Sequence, residues 1–353
     1  MTYTLFIYYL LIVVVTFLNY FNMKSTNKGI FLFISFYFLF LVASLRFDIG
    51  TDYINYHIIF HMIELDGDFK IEVGFLLLNK ILIFFNLPFE IAIAIYSFLT
   101  LIFIYIAIPR KYLMLFIFLY IASNSYFQSF SLIRQSLAIS IILYAIPYIN
   151  KNSFFKYLIW VIIASSIHLS AILFLPIYFM RKLSVNYFYA YAIIIWYFIV
   201  QYTEIIEFLF MNIISLTPYG IYIGGAFFDR EIATGSGLGV LFRLLIGIII
   251  LLYSTRIKDK TPEVNIYLLL LFLYELSYIA ALKIYIFNLL ADTFSLFFIY
   301  SVPYFIYSFN KKISNIVMTV TILLFTILMY KNLTNDYYQV SGGVGVMPYK
   351  SLF

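Results

Sequence analysis

Polar residues in this chain come in short groups, and long apolar runs separate them. Most of these runs can cross the roughly 30 Å hydrocarbon core of a bilayer as a helix. The pattern predicts helices at 3–21, 30–45, 89–108, 112–124, 132–149, 155–180, 187–203, 239–254, 264–282, 284–308 and 314–330. The run 155–180 holds Ser165, Ser166 and His168 in its middle and Pro176 later. That predicts either a kinked helix or two short helices turning near His168. The stretch Glu72–Asn86 is shorter and carries Glu72, Asn79 and Lys80, so it is expected to enter the membrane without spanning it. The expected fold is all-α: one polytopic integral membrane domain over 1–353, with about 11–13 transmembrane helices and at least one broken or re-entrant segment.

Composition excludes a soluble alternative. The 353 residues are 65% hydrophobic and 11% charged, against about 45–50% and 25% in ordinary soluble domains. The net charge of +6 does not point to nucleic acid. Its basic residues sit in short loops, not on a basic face with interleaved aromatics. They mark the cytoplasmic side: Lys24 and Lys28, Arg110 and Lys111, Lys151 and Lys156, Arg181 and Lys182, Arg256 to Lys260, and Lys311 with Lys312. The loops 46–71 and 204–238 and the tail 331–353 are then external. Between loop 46–71 and Arg110 the number of crossings must be odd, which again requires the 72–87 segment not to span. The first run lacks a basic leader and a small-residue cleavage site, so it reads as a retained helix. Cysteine is absent, which excludes disulfides, zinc thiolates and thiol nucleophiles. With three histidines, His57, His61 and His168, a His-rich metal site is not expected. No internal repeat is visible, which argues against a secondary transporter.

Chemistry-bearing residues cluster in a few places. Arg46-Phe47-Asp48-Ile49-Gly50-Thr51-Asp52-Tyr53 begins where helix 30–45 ends. A guanidinium there can fork onto two phosphate oxygens, and Asp52 is placed to accept a proton or a sugar hydroxyl. The competing reading is a helix exit in which Arg46 snorkels to headgroups and pairs with Asp48. Arg134 and Gln135 lie in the first turn of an apolar helix. A charge at that depth costs about 2.5–3.5 kcal/mol on insertion scales and needs a partner. A lipid phosphate would serve, either as substrate or as an ordinary headgroup. His168 can take a proton from a hydroxyl near neutral pH, or it is a polar residue bonded across helices. His57 and His61, one turn apart on the expected outer helix Tyr53–Leu65, read as an interfacial face. Further charges near outer ends are Glu72, Asp229, Arg230, Glu231, Arg243, Lys283 and Asp292. Arg243 is a third candidate phosphate ligand, and Lys283 a candidate partner for Asp292. The Gly-rich stretch Thr234–Gly239 lacks a phosphate-binding fingerprint and reads as a linker.

Several pieces together carry a resemblance. They are Arg46-x-x-x-Gly50-Thr51-Asp52-Tyr53 with Tyr56, Glu72-Val73-Gly74-Phe75, Arg134-Gln135-x-Leu137-Ala138, Ala164-x-x-x-His168-x-Ser170-Ala171 and Pro348-Tyr349-Lys350-Ser351. In order and spacing they resemble the EpsG/Wzy-type polysaccharide polymerases of bacterial membranes. Val73 departs from the proline expected there, and beyond about residue 185 the likeness is thin. The resemblance implies a multi-pass protein of the bacterial cytoplasmic (inner) membrane. It implies a glycosyltransferase that joins undecaprenyl-pyrophosphate-linked oligosaccharide units into an O-antigen, capsule or exopolysaccharide at the outer face. Membrane lipid is its surroundings, and a chain-length regulator and a flippase are its implied partners.

In that chemistry Arg134 and Arg46 stabilise the leaving pyrophosphate. His168 is the favoured base, and Asp52 positions it or the sugar. Tyr53, Tyr56, Gln135, Arg243 and Glu72 are expected to bind substrate, the tyrosines by stacking on sugar rings. Arginine supplies the positive charge, so no cofactor and no metal are expected. The alternatives are an O-antigen ligase, a flippase for the same lipid-linked sugar, and an acyltransferase. A flippase should carry polar residues through the full membrane depth. An acyltransferase should carry a His-Asp pair within one loop, which is absent here.

Overall fold

The computed structural model describes residues 2–26, 29–67, 71–212, 216, 237–334 and 345–352. Most of the expected external loop 204–238, with Asp229, Arg230, Glu231 and most of the Gly-rich stretch, lies outside the described residues, as do Lys28 and 335–344 of the tail. Among the described residues the chain is helical, with one isolated antiparallel bridge, Arg46 to Ser351. It divides into two compact units, Met1–Phe179 with Asn315–Phe353, and Met180–Ser314.

In the first unit the helices are α1 (Thr2–Lys24), α2 (Ile30–Ser44), α3 (Tyr53–Glu64), α4 (Val73–Phe84), α5 (Phe89–Ala107), α6 (Arg110–Ala122), α7 (Ser125–Gln128), α8 (Ile133–Asn150) and α9 (Phe154–Ile167). A 3-10 turn, Leu169–Phe174, and α10 (Ile177–Met180) follow. The second unit holds α11 (Phe188–Tyr202), α12 (Ile205–Asn212), α13 (Leu238–Leu252), α14 (Ser254–Lys260), α15 (Asn265–Ala280) and α16 (Phe287–Tyr307). α17 (Lys311–Thr334) belongs from Asn315 onward to the first unit. The stops are local. Asp66, Asn86, Asn124 and Asn152 each take a left-handed φ two residues past the ends of α3, α4, α6 and α8, a conformation these side chains tolerate.

The chain is a multi-pass membrane protein. Among the described residues, five helices are long and apolar enough to cross a bilayer, or seven if the bent pairs α11–α12 (82°) and α13–α14 (58°) each count as one. α2, α4 and α9 are apolar but shorter. α1 turns Phe6, Leu10, Val13 and Phe17 outward, and α17 turns out Ile316, Val320, Leu323 and Ile327. Such apolar faces suit lipid. Buried polar links join the helices: Asn19 donates to Ser35 at 2.6 Å, and Ser35 bonds Tyr105 at 2.6 Å, tying α1, α2 and α5 together.

Depth within the first unit can be followed along α1 and α5. At one end Thr4 and Tyr8 bond Tyr349 and Val346. About 30 Å away at 1.5 Å per residue, Ser25 accepts from Arg110 at 2.8 Å. Lys24, which ends α1, and Arg110 and Lys111, which open α6, therefore share an end, as positive-inside ordering requires. α5 begins beside α3, with Phe89 against Tyr53 at 5.3 Å. α4, in contrast, begins level with Tyr96, on which Phe75 stacks at 5.3 Å. Tyr96 is seven residues, or about 10 Å, along α5. Four residues, 85–88, return α4 to the start of α5. α4 therefore begins about 10 Å along α5 and ends near its start.

The 154–180 run is a hairpin. Tyr157 donates to Phe174 O at 2.7 Å, and Phe154 packs on Tyr178 at 4.9 Å, so the return leg retraces α9. His168 is its tip, in an extended conformation (φ −151°, ψ 123°). Gly74 of α4 meets Ser166 just before that tip, and a Cβ there would collide with the Ser166 side chain and carbonyl. Gly74→Ala should lower stability by about 1–3 kcal/mol through forced separation of α4 and α9. Ser166→Ala should restore only part of it, because the Ser166 backbone also blocks the space. Thermal unfolding of the detergent-purified protein measures both.

Candidate active site

Several segment ends meet in one place. The first turn of α8 brings Arg134, the residue before α4 brings Glu72, the hairpin tip brings His168, and the start of α3 brings Asp52 and Tyr56. Arg134 Nη1 bonds Glu72 Oε2 at 2.6 Å, with the two side chains 24% and 23% exposed. The other Glu72 oxygen accepts the Leu169 backbone N–H at 3.2 Å. Arg134 also hydrogen-bonds Tyr56 and lies over the Phe75 ring at 5.3 Å and the Tyr56 ring at 5.8 Å. Its Nε makes no hydrogen bond. One guanidinium thus joins α8, α4, α3 and the hairpin.

Asp52 stands at the N-terminal boundary of α3 and lies within electrostatic reach of Arg134. Burial pushes its carboxyl above the usual carboxylate range, while a hydrogen bond from Asn55 and the charge of Arg134 pull it back. His168 interacts electrostatically with both Arg134 and Glu72. Its Nδ1 accepts the Ser170 N–H at 3.3 Å and lies 2.8 Å from Ser170 Oγ. A neutral ring whose Nδ1 accepts carries its proton on Nε2. In that tautomer His168 presents its N–H donor at Nε2.

Arg46 is set differently from the expectation of a guanidinium open to a phosphate. It is 1% exposed. Its Nη1 donates to Ala43 O and, at 3.0 Å, to Ser97 Oγ, and its guanidinium lies 4.5 Å from the Phe130 ring centre. The helix-exit alternative fails as well, because Arg46 is enclosed and Asp48 pairs with Lys350 at 3.1 Å instead. Tyr8, Tyr53, Tyr126 and Tyr349 surround its charge. A small cavity beside it is lined by Ala43, Tyr96, Ser97, Thr100, Tyr126, Ser129 and Ile133. Tyr96 lines this cavity and also lies within the field of Arg134. The two arginines thus occupy neighbouring niches with Tyr96 common to both.

The remaining expected residues fall as follows. Tyr53 packs edge-on against Phe89 and Phe47, and Tyr56 against Phe75; both tyrosines are buried. Their faces are taken by protein aromatics and are not open for sugar stacking. Gln135 is buried beside Arg134 in α8. Glu72 has both oxygens engaged, which makes it a group that holds Arg134 in place. Arg243 belongs to the second unit, 5.8 Å from the Tyr278 ring and in the field of Glu275. Lys283 pairs with Glu207 at 3.7 Å. His57 and His61 bond each other at 3.2 Å on an exposed face of α3, with Glu64 on His61 at 2.9 Å.

Sequence reasoning passed over Tyr96 and Ser97, which a run of apolar α5 residues conceals. It also passed over Glu275, a lone acid in an apolar run. That carboxylate is fully buried against Gly247, with neither oxygen hydrogen-bonded.

Removing one member of the Arg134–Glu72 pair strands the other in a low-dielectric setting, at about 3 kcal/mol. Glu72→Ala should cost that much and the double variant Glu72→Ala/Arg134→Ala markedly less than the sum. A double-mutant cycle on thermal unfolding checks it; additive losses would show the two side chains to be uncoupled.

The sequence profile of the EpsG family matches residues 29–351. No curated protein and no solved structure matches the chain.

Proposed function

The chain belongs to the EpsG family, the family of Wzy-type polysaccharide polymerases. From that membership we propose that it extends a surface glycan at the outer face of the bacterial cytoplasmic membrane. Its substrate in this reading is an oligosaccharide unit on undecaprenyl pyrophosphate. The observation that carries the reading is the meeting of Arg134, His168 and Asp52 where several segments end within the apolar depth. That is where a lipid-anchored phosphate and a polar sugar can be held together.

The reaction exchanges one bond for another. A hydroxyl of the acceptor unit attacks the anomeric carbon of the growing chain, and the bond from that carbon to the pyrophosphate oxygen breaks. Asp52 takes the hydroxyl proton. Its raised affinity for protons suits a general base better than an ordinary surface carboxylate. The departing pyrophosphate gains negative charge, which the Arg134 guanidinium and the His168 Nε2–H stabilise. Glu72 and Tyr56 hold Arg134 in its orientation. Arg46 adds a fixed buried charge nearby and no direct contact with substrate.

Deleting the gene should leave single repeat units in place of long chains on a glycan gel. Absence of any exported unit would favour a flippase. Long chains kept on a carrier but not passed to the lipid core would favour a ligase. Arg134→Ala should reduce extension by at least about a hundredfold in protein that still inserts. Normal chain lengths in that variant would remove the assignment.

Extension should also fall on the acid side as Asp52 takes up a proton. Because burial raises this group, the fall should come at a pH above the ordinary carboxylate range. Rates in membrane vesicles against pH test this. Asp52→Asn should lose most activity and the acid limb with it.

A further inference from the structure

The described end of the chain is built into the site that the proposed polymerase reading uses. Residues 345–352 run antiparallel to 45–50. Leu352 N donates to Leu45 O, Phe47 N to Lys350 O and Gly50 N to Gly345 O, each at 3.0 Å, with the Arg46–Ser351 bridge between them. Side chains add to this. Tyr8 donates to Val346 O at 2.7 Å, Tyr349 donates to Val42 O at 3.0 Å, and Lys350 pairs with Asp48 at 3.1 Å. Gly345 approaches Thr51 so closely that a Cβ would press on the Thr51 backbone nitrogen. From the other side, Thr51 N donates to Ser131 Oγ at 2.9 Å, and Gly50 lies against Phe130 O, where no side chain fits. The loop 46–51 is therefore clasped between the chain terminus and the turn that leads into α8.

That loop does not define its own course. Asp48 and Gly50 have φ of +52° and +104°, so its path is not one that the local sequence settles into by itself. Yet its course fixes Asp52, the next residue after the clasp, relative to Arg134 at the head of α8. We propose that residues 345–352 are a positioning element of the active site, which hold Asp52 in register with Arg134 without touching substrate.

The test uses membrane vesicles that carry the cell's own lipid-linked units, with rates expressed per folded protein. A chain ending at residue 344 should extend glycan on the order of a hundredfold more slowly. Added peptide of residues 345–353 should restore the rate in a saturable way. A merely structural role would instead lower the yield of folded protein and leave the rate per folded molecule unchanged. Lys350→Ala, which removes one exposed ion pair, should cost no more than about threefold.

Because the chain has no cysteine, Phe47→Cys with Lys350→Cys gives a single reversible crosslink across the paired backbone. It serves if the truncated chain does not fold. Oxidation should leave the rate intact. Wild-type rates from the folded truncated chain, or a rate lost on oxidation and regained on reduction, would overturn the proposal. Arg134→Ala runs beside these variants. If it too extends chains normally, the polymerase reading has failed; if it alone is inactive, only the role of residues 345–352 has.

Discussion

A guanidinium cannot stay in an apolar surrounding without compensation, and the way Arg134 is compensated organises the whole first unit. Its carboxylate partner, Glu72, is supplied by the residue just before α4, and the same carboxylate holds the backbone of the hairpin tip at Leu169. Tyr56 and Phe75 close over the charge with their rings. In water such a pair contributes little. At partial depth, where the dielectric constant is low, an unmatched member is expensive. The pair therefore forces segments distant in sequence to end at one level.

Ending at one level also makes chemistry possible. A bilayer tolerates irregular backbone only where protein or a polar cavity surrounds it. α4, the 154–180 hairpin and the loop after α2 all interrupt their helical hydrogen bonding near the depth of Tyr96 and Ser97, about 10 Å along α5. Backbone amides, a carboxylate, an imidazole and two guanidinium groups are gathered there. The two arginines differ in what surrounds them. Arg134 retains some exposure, whereas Arg46 is enclosed by tyrosines, Phe130 and Ser97. The terminal residues 345–352 then hold the loop that joins Arg46 to Asp52.

Much of this was visible in the chain itself. The apolar runs located nearly every helix, because 3.6-residue geometry and bilayer thickness leave few alternatives for such stretches. The break at His168 followed from polar residues placed mid-run. The short helix α4 followed from the brevity and the charges of the 72–87 segment. The charged groups that meet there were also nameable, since charges are rare enough in this composition to stand out.

Their roles were not nameable, for a physical reason. Whether Arg46 is open or enclosed depends on Ser97 and Phe130, distant in sequence and unremarkable as residue types. Whether His168 donates or accepts depends on a backbone N–H two residues away, set by the extended geometry at the hairpin tip. Whether Tyr53 and Tyr56 offer their faces depends on which rings pack against them. The amino-acid sequence alone determined that this chain is a helical membrane protein with charges held at depth, because hydrophobic length and the cost of burying charge act locally. Only the tertiary structure decided which charge is paired and which is enclosed, because pairing and burial belong to the surroundings that distant segments create.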